Sequence, residues 1–414
     1  MKALHGNSFV ASSAIAYTAP IREQTTAEGH AVRAVYMYSA MADVAAEYGD
    51  QQLLKVCEAL WNNITEKRMY ITGSIGSSGI LERFTTDYDL PNNSNYSETC
   101  ASIGLALFGR RMAQIFKDSR YYDVVEKALY NTVLAGIAMD CKSFFYVNPL
   151  EVWPDNCIPR TSKEHVKAIR QPWFGVACCP PNIARTLASL GEYIYFNEED
   201  AIWINLFVSS SLKTVMAGEE VTLETKTNFP YEGNVSIELS SRKQTRGKLY
   251  IRIPEYVKNY QIYIDGVQIS SLEVIKGYCA LNLDFKNQRI DLEFDLKPRM
   301  VRANPLVKED IGKVAIMKGP LVYCLEEIDN ESNLPAYYLD HMAELNEFYD
   351  DKLLGGTVVI QCEGRKITEE GWNTKELYSE QEVTLKKKKL TLIPYPYWGN
   401  RGSGEMIVWI KEFM

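Results

Sequence analysis

The apolar residues of 182-NIARTLASLGEYIYF-196 recur at helical spacing, whereas those of 201-AIWINLFV-208 alternate or are β-branched. In the first stretch, Ile183, Leu187 and Leu190 lie on one stripe, which predicts a helix. The second stretch is a short apolar run of the kind that forms strands. The period of the sequence therefore changes from 3.6 to 2 close to residue 200, which predicts an α region followed by a β region.

The helical pattern continues upstream of this point, and the strand pattern continues downstream of it. Upstream, helical spacing predicts helices at 26–50, 51–67, 98–116, 120–138 and 182–196. Downstream, apolar and β-branched runs predict strands, and turn signals such as Asp265-Gly266 separate them. Pro298 divides these strands into two groups. The sequence thus predicts a helical domain followed by two β-sandwich domains.

Composition narrows the classes of function. A net charge of −8 argues against nucleic-acid binding, because neutralising phosphates needs a basic surface. No run of 18 apolar residues occurs, so no membrane span is predicted. The cysteines number nine and have no regular spacing, which argues against a secreted disulfide framework and for a reducing compartment. We therefore expect a cytoplasmic location.

Two cysteines stand side by side in 175-GVACCPPN-182. Neighbouring cysteines form a disulfide only with strain, so Cys178 and Cys179 indicate thiol chemistry, a metal site, or a buried pair of small apolar side chains. Pro180 disfavours helical geometry at the residue before it, which predicts that the pair lies in a loop. The helix predicted to follow would favour thiolate near its N-terminus.

A second cysteine segment is 94-SNYSETCAS-102, where Glu98 and Cys100 stand at the start of a predicted helix. The two side chains can share a metal only where the backbone is not yet helical, because residues i and i+2 diverge within a helix. With Cys178 and Cys179 they would complete a tetrahedral zinc set. Spacing alone leaves this zinc site and buried structural cysteines both open, and it favours the second.

The glycine-rich connection 73-GSIGSSGILERFTTDYDLP-91 is long for a helical domain, and long loops often carry function. Among its carboxylates, Glu82 could serve as a general acid, although a solvated loop carboxylate is the commoner case. His30 lies in the first predicted helix, where a satisfied core histidine is commoner than a ligand.

Longer segments of the chain follow one another in a recognisable order. They are 28-EGHAVRAVYMYSAMADVAAEY-48, 69-MYITGSIGSSGILERFTTDYDLPN-92, 96-YSETCAS-102, 177-ACCPPNIARTLAS-189, 318-KGPLVYCLEE-327 and 392-LIPYPYWGNRGSGEMIVWI-410. Together they resemble glycoside hydrolase family 127, the β-L-arabinofuranosidase family. The resemblance runs from about residue 21 to the end of the sequence, with natural spacing.

The resemblance implies an α+β multidomain fold, a partial (α/α)6 barrel followed by two β-sandwich domains. It divides the chain into a catalytic domain at 1–195, a β-sandwich at 196–300 joined by the C-terminal strand 402–414, and a second β-sandwich at 301–401. The match starts in mid-barrel, so the N-terminal part of the barrel is expected to lie outside this sequence. The partner would then be a second copy of the chain, in a homodimer, or a complementing N-terminal fragment.

The resemblance also implies a retaining glycoside hydrolase that releases β-L-arabinofuranosyl units from plant-type glycans. Its substrate would be an arabinofuranoside-containing oligosaccharide. The implied roles are Cys178 as nucleophile, Glu82 as acid/base, Glu98, Cys100, Cys178 and Cys179 as Zn2+ ligands, and His30 and Tyr146 as substrate-binding residues. The nearby anionic cluster and partial burial are expected to raise the pKa of Glu82.

Two other functions stay open at this point. The chain could be an inactive or sugar-binding fragment with a structural zinc site, which turnover of a chromogenic β-L-arabinofuranoside would exclude. It could also be a structural zinc protein unrelated to sugars, although such a protein has no use for an acid such as Glu82 beside the metal.

Overall fold

The computed structural model describes residues 19–270, 272–373 and 375–413 of the chain. Its first region is helical, and apolar residues on facing helices form one core. The elements of this region are α1 (Ala31–Tyr48), α2 (Gln51–Lys67), α3 (Thr99–Phe116), α4 (Arg120–Ala128), α5 (Cys179–Ala188), α6 (Gly191–Ile194) and the two-residue strand β1 (Glu151–Val152). Residues 1–18, which belong to the predicted first domain, lie outside the described residues.

Local sequence explains where α1 ends and α2 begins. Gly49 ends α1 in the left-handed conformation, at a φ of 64°, which glycine adopts without steric cost. Asp50 then caps α2, because its carboxylate accepts a hydrogen bond of 3.0 Å from the backbone N–H of Leu53. The helices predicted at 51–67 and 98–116 are confirmed to within one residue.

Three predicted helices differ in extent from the observed ones. The helix predicted at 26–50 is observed at Ala31–Tyr48. The helix predicted at 120–138 changes into a π-helical turn at Leu129–Val133. The helix predicted at 182–196 starts earlier, at Cys179, and its last residues belong to a strand of the next region. Among the residues that the structure describes, no helix combines the length and the apolar character needed to cross a membrane.

The middle region is a β-sandwich. Its strands are β2 (Tyr195–Asn197), β3 (Ala201–Ile204), β4 (Ser210–Met216), β5 (Glu219–Thr227), β6 (Asn234–Ser241), β7 (Arg246–Arg252), β8 (Tyr260–Ile264), β9 (Val267–Gln268), β10 (Val274–Ile275), β11 (Tyr278–Asp284) and β12 (Gln288–Phe294). They form one sheet in the order β10-β11-β7-β3-β2 and another in the order β4-β5-β6-β12-β8-β9. Apolar residues of both sheets, such as Ile251 and Ile237, share one core. The alternation of the sequence therefore places one face of each sheet inside the sandwich.

The last region is a closed sheet, so the prediction of a second β-sandwich is wrong. Its elements are β13 (Arg299–Val301), β14 (Lys313–Lys318), β15 (Leu321–Glu326), α7 (Glu327–Asn330), β16 (Tyr337–Asp340), β17 (Asn346–Asp350), β18 (Thr357–Thr368), β19 (Thr384–Pro394), β20 (Met406–Ile407) and β21 (Ile410–Phe413). Strands β14, β15, β19, β18, β16 and β21 pair in this order, and β21 pairs back with β14. Alternating apolar residues occur in sandwiches and barrels alike, so the sequence pattern could not distinguish them. We call this region the C-terminal barrel.

The C-terminal strand belongs to this barrel. β21 pairs in parallel with β16 and antiparallel with β14, and β20 pairs with β15. The prediction that 402–414 joins the middle sandwich is therefore wrong. The reason is that an apolar strand pattern specifies a face to bury but does not specify which neighbouring strand supplies the hydrogen bonds.

Strand β15 shows how the C-terminal barrel contacts the helical region, because all of its residues are buried. Tyr323 and Leu325 point into the core of the barrel. The alternate residues Val322 and Cys324 pack in a second cluster with Phe145 of the helical region. Since strand side chains alternate between faces, β15 is buried on both sides.

A buried ion cluster joins the middle sandwich to α4. Arg252 of β7 contacts Glu126, and its Nη1 lies 2.7 Å from Oδ1 of Asp123. Its Nε also donates a hydrogen bond of 2.6 Å to the carbonyl of Asn205. Burial raises the pKa of Glu126 and of Asp123, and the Arg252 charge opposes that rise. Arg252 is therefore the cation that the two carboxylates share.

Candidate active site

Four predicted site residues converge on one point between α3 and α5. The sulfur of Cys100 lies 3.7 Å from that of Cys178 and 3.4 Å from that of Cys179. The sulfurs of Cys178 and Cys179 are 3.8 Å apart. Glu98 Oε1 completes the cluster at 3.3 Å from the Cys178 sulfur and 3.6 Å from the Cys179 sulfur. The structure thus brings together side chains that are about eighty positions apart in the sequence.

The starts of the two helices explain the convergence. Glu98 precedes α3 in an extended conformation, with φ −61° and ψ 136°, so its side chain and that of Cys100 can point to one centre. Cys179 is the first residue of α5, and the prediction that it lies in a loop is wrong. Pro180 and Pro181 fit there because the first turn of a helix needs no N–H donors.

The donor set fits a tetrahedral metal ion. Zinc–sulfur bonds of about 2.3 Å place tetrahedral sulfurs about 3.8 Å apart, and the three sulfur–sulfur distances are 3.4, 3.7 and 3.8 Å. These distances are far longer than the roughly 2.05 Å of a disulfide. The second carboxylate oxygen of Glu98 is buried without a hydrogen-bond partner among the described residues. The four ligand atoms lie within 4.8 Å of one another.

The electrostatics of the cluster single out Cys178. Hydrogen bonds from the thiols of Cys100 and Cys179 lower the pKa of Cys178, and Tyr146 contributes in the same direction. The hydrogen bond between Cys100 and Cys178 raises the pKa of Cys100. Burial and the charge of Cys178 raise the pKa of Glu98 to about 9. The pKa of Cys178 is thus lowered while those of Cys100 and Glu98 are raised, and Cys178 is the one cysteine of the set that is exposed.

Glu82 is held by two hydrogen bonds on a strained turn. His30 Nε2 lies 2.7 Å from Glu82 Oε2, and the Tyr96 hydroxyl donates to Oε1 at 3.0 Å. Leu81 and Glu82 both adopt positive φ, at 61° and 52°, which is costly for residues with a side chain. Such strain is typical of functional sites, where the surrounding structure fixes the geometry.

The pKa of Glu82 is lowered, so the prediction that it would be raised is wrong. The hydrogen bond from His30 is the largest cause, and that from Tyr96 acts in the same direction. Burial and the negative charge of Cys178 do raise the pKa, as predicted from the sequence, but they are outweighed. The sequence could not show this, because nothing in it pairs His30 and Tyr96 with Glu82.

Tyr146 contacts the cluster directly. Its hydroxyl lies 2.8 Å from the Cys178 sulfur, and burial raises its pKa. The Thr99 N–H donates to the Tyr146 carbonyl at 3.0 Å, and the Thr99 hydroxyl donates to the Phe145 carbonyl at 2.9 Å. Tyr146 is therefore fixed to the start of α3, beside Glu98.

A cavity of about 530 Å³ connects these groups. Predicted site residues line it, namely His30, Glu82, Glu98, Cys100, Tyr146 and Cys178, while Cys179 lies buried behind them. Sequence reasoning missed Tyr36, Asn182 and Arg185, which also line it and are joined by hydrogen bonds. Tyr96 was missed as well, although it directly precedes the SETC motif.

A larger groove lies elsewhere, on the middle sandwich. Its volume is about 640 Å³, and strand residues such as Lys226, Tyr263 and Arg289 line it. Its lining residues include no cysteine and no histidine. The smaller cavity between α1, α3 and α5 is therefore the one lined by the predicted catalytic and metal-binding residues.

Comparison with known proteins gives three family models that match the chain in succession. The GH127 catalytic domain of β-L-arabinofuranosidase matches residues 9–192, and the GH127 middle domain matches residues 201–296. The C-terminal domain of glycoside hydrolase family 127 matches residues 298–411.

Individual relatives agree with the family models. The chain is 38% identical over 402 residues to a non-reducing end β-L-arabinofuranosidase of Bifidobacterium longum subsp. longum, covering 95% of this chain and 61% of the relative. The crystal structure of Ara127N-Se, a GH127 β-L-arabinofuranosidase from Geobacillus stearothermophilus T6, is 44% identical with a TM-score of 0.94, covering 97% of this chain and 63% of that one. A structure described as a glycoside hydrolase is 32% identical with a TM-score of 0.88, covering 99% of this chain and 72% of that one.

The fold and the matches define the class of protein: the chain is a member of a glycoside hydrolase family. It belongs to glycoside hydrolase family 127. The chain spans a little under two thirds of the length of the first two relatives, at 61% and 63%.

Proposed function

We propose that the chain is a retaining glycosidase that releases β-L-arabinofuranosyl units from plant-type glycans, with Cys178 as nucleophile and Glu82 as acid/base. One observation carries the assignment of the nucleophile: within the cluster of three cysteines and Glu98, only Cys178 is exposed, and it lines the cavity. Glu82 lines the same cavity. The Bifidobacterium relative, itself named a non-reducing end β-L-arabinofuranosidase, supports the choice of sugar.

The chemistry takes two displacements at the anomeric carbon. In the first, the sulfur of Cys178 attacks this carbon, the bond to the leaving oxygen breaks, and Glu82 gives that oxygen a proton. In the second, water attacks the same carbon, the carbon–sulfur bond breaks, and Glu82 accepts the proton of the water. Two inversions restore the starting configuration.

The lowered pKa of Glu82 raises the question of where the first proton is held. His30 Nε2 and Glu82 Oε2 are 2.7 Å apart, so one proton lies in the hydrogen bond between them. We assign the acid function to this pair with both ring nitrogens of His30 protonated: the Nε2 proton passes to Glu82, Glu82 hands it to the leaving oxygen, and His30 is left neutral. Tyr96 holds the other carboxylate oxygen in place at 3.0 Å.

Glu98, Cys100, Cys178 and Cys179 would hold Zn2+. When bound, the ion keeps the thiols deprotonated at neutral pH, and three thiolates with one carboxylate leave the site at a net charge of about −2. That charge favours a positively charged, oxocarbenium-like transition state. Tyr146, with its hydroxyl 2.8 Å from the Cys178 sulfur, would orient the sulfur and contact the sugar.

The proposal includes the domain organisation of the family. The helices α1–α6 would belong to an (α/α)6 barrel within a catalytic domain at 1–195, followed by a domain at 196–300 and a last domain from 301 onward that includes β20 and β21. The family models support these divisions, because one model gives way to the next between residues 192 and 201 and between 296 and 298.

The decisive experiment is hydrolysis of 4-nitrophenyl β-L-arabinofuranoside by purified chain, followed by the stereochemistry of the released sugar. Cys178→Ser should abolish turnover, while Cys141→Ser should leave it unchanged, because Cys141 is another exposed cysteine outside the cavity lining. Glu82→Gln should slow poor leaving groups far more than 4-nitrophenol, since only poor leaving groups need a proton.

The outcomes of these experiments distinguish a retaining glycosidase from a sugar-binding chain without activity. Inverted product, or equal loss of rate for good and poor leaving groups in Glu82→Gln, contradicts the assigned roles. Sugar binding without any turnover would instead support the alternative, a sugar-binding chain with a structural metal site.

A further inference from the structure

The C-terminal barrel reaches the active-site tyrosine through a buried arginine. Arg170 is 5% exposed, and its guanidinium donates three hydrogen bonds to backbone carbonyls. The acceptors are Ala135 at 2.9 Å in the helical region, and Trp398 at 2.6 Å and Pro396 at 3.0 Å in the barrel. A planar group with several donors can bridge these separate segments, which a lysine ammonium cannot do with the same geometry.

An aromatic stack accompanies the hydrogen bonds. The ring of Trp398 stacks on that of Phe145 with centroids 4.4 Å apart and planes inclined by 14°. The Arg170 guanidinium carbon also lies 4.4 Å from the centroid of the Phe145 ring. A Cβ added at Gly399 would lie 3.4 Å from Phe145 and 3.3 Å from the carbonyl of Ala168, so the loop after Trp398 fits closely.

Phe145 links the contact with the barrel to the cavity, because the next residue in the chain, Tyr146, lines the cavity. Its N–H donates to the carbonyl of Gly136 at 3.0 Å, and its carbonyl accepts from the Thr99 hydroxyl at 2.9 Å. On the other side, Phe144 pairs with Gln171, the residue after Arg170, through two hydrogen bonds of 2.9 Å. The segment that ends at Tyr146 is thus held from the barrel as well as from α3.

We propose that Arg170 and Trp398 are positioning residues that hold the Tyr146 hydroxyl within hydrogen-bond reach of the Cys178 sulfur. Through these two residues, the C-terminal barrel helps to fix the position of Tyr146. The role of Tyr146 in catalysis rests on the function proposed above, whereas the clamp itself rests on the contacts of Arg170, Trp398 and Phe145. A clamp that only joined two domains would affect stability and leave the Tyr146–Cys178 contact unchanged.

The test is a double-mutant cycle between the clamp and the tyrosine hydroxyl. Arg170→Lys and Trp398→Phe are each made in the natural chain and in Tyr146→Phe, with metal content and thermal stability measured for every variant. We expect each clamp variant to lower kcat by about tenfold to a hundredfold in the natural chain. In the Tyr146→Phe background the same changes should cost less than about twofold, because the group that they position is gone.

Arg299→Lys is the matched control. Arg299 is another arginine at a domain junction: it donates to the carbonyl of Gly319 at 2.9 Å and lies 5.2 Å from the ring of Tyr256. None of its contacts with the described residues leads to Tyr146. It should lower thermal stability about as much as Arg170→Lys and leave kcat unchanged.

A second readout keeps the test independent of the proposed activity. If the natural chain does not hydrolyse arabinofuranosides, the same cycle is measured as the rate of Cys178 alkylation by iodoacetamide, followed by peptide mass spectrometry. Equal effects in both backgrounds, no effect of either clamp variant, or an equal effect of Arg299→Lys would overturn the proposal. Should Arg170→Lys fail to fold, Trp398→Phe alone decides.

Discussion

Replacing Arg252 by methionine should destabilise the junction between the helical region and the middle sandwich. Arg252 and Glu126 are fully buried, and Asp123 is 15% exposed at its side chain. Methionine fills a similar volume but leaves two carboxylates without their cation. Breaking a buried ion pair from one side costs about 3–5 kcal/mol, because the remaining charge is neither paired nor hydrated. That loss is a large part of the stability of a domain, which is about 5–15 kcal/mol.

Urea unfolding followed by tryptophan fluorescence measures the loss, and limited proteolysis locates it. The defect should shrink as the pH falls, because burial raises the pKa of Glu126 and of Asp123, and the variant loses the arginine charge that opposes this rise in both. A group with a raised folded-state pKa binds more protons in the folded than in the unfolded chain, so acid stabilises the folded variant.

Two controls decide whether the reasoning holds. Adding Glu126→Gln to Arg252→Met should restore part of the stability, since it removes one of the stranded charges. Arg289→Met, which breaks the exposed pair of Arg289 with Asp291, should change little. The reasoning is refuted if Arg252→Met and Arg289→Met have equal effects, or if the double variant is less stable than the single one.

The remaining predictions concern the metal set, the pH dependence of stability and the packing of the helices. We expect one zinc ion per chain by elemental analysis; Cys179→Ser should lower this to a small fraction, while the variant Cys57→Ser, at an equally buried cysteine of α2, should retain it. Burial raises the pKa of Asp310 to about 6, so the free energy of unfolding should fall as the pH rises from about 4 to 6. In denaturant titrations, Asp310→Asn should remove up to about 3 kcal/mol of that fall. Gly109→Ala should cost about 1–3 kcal/mol of unfolding free energy, because its Cβ would lie 2.7 Å from Trp61 and Val125, and a mutant as stable as the natural chain would contradict this.

Local sequence determined the elements of this chain and the chemistry that they carry. The change of period near residue 200 marks the junction of helices and strands, because side-chain spacing follows directly from the helical and extended repeats. The neighbouring Cys178 and Cys179 and the SETC motif suggested a metal set from ligand chemistry alone. Resemblance to a family then selected Glu82 among several carboxylates of one loop.

Tertiary structure decided how distant segments meet. The closure of the C-terminal barrel depends on the pairing of β21 with β16 and β14, and strand pattern does not name a partner. The convergence of Cys100 with Cys178 depends on the packing of α3 near α5. The lowered pKa of Glu82 depends on His30 and Tyr96, because a pKa responds to the charges and hydrogen bonds within a few ångströms, and only the folded chain sets those distances.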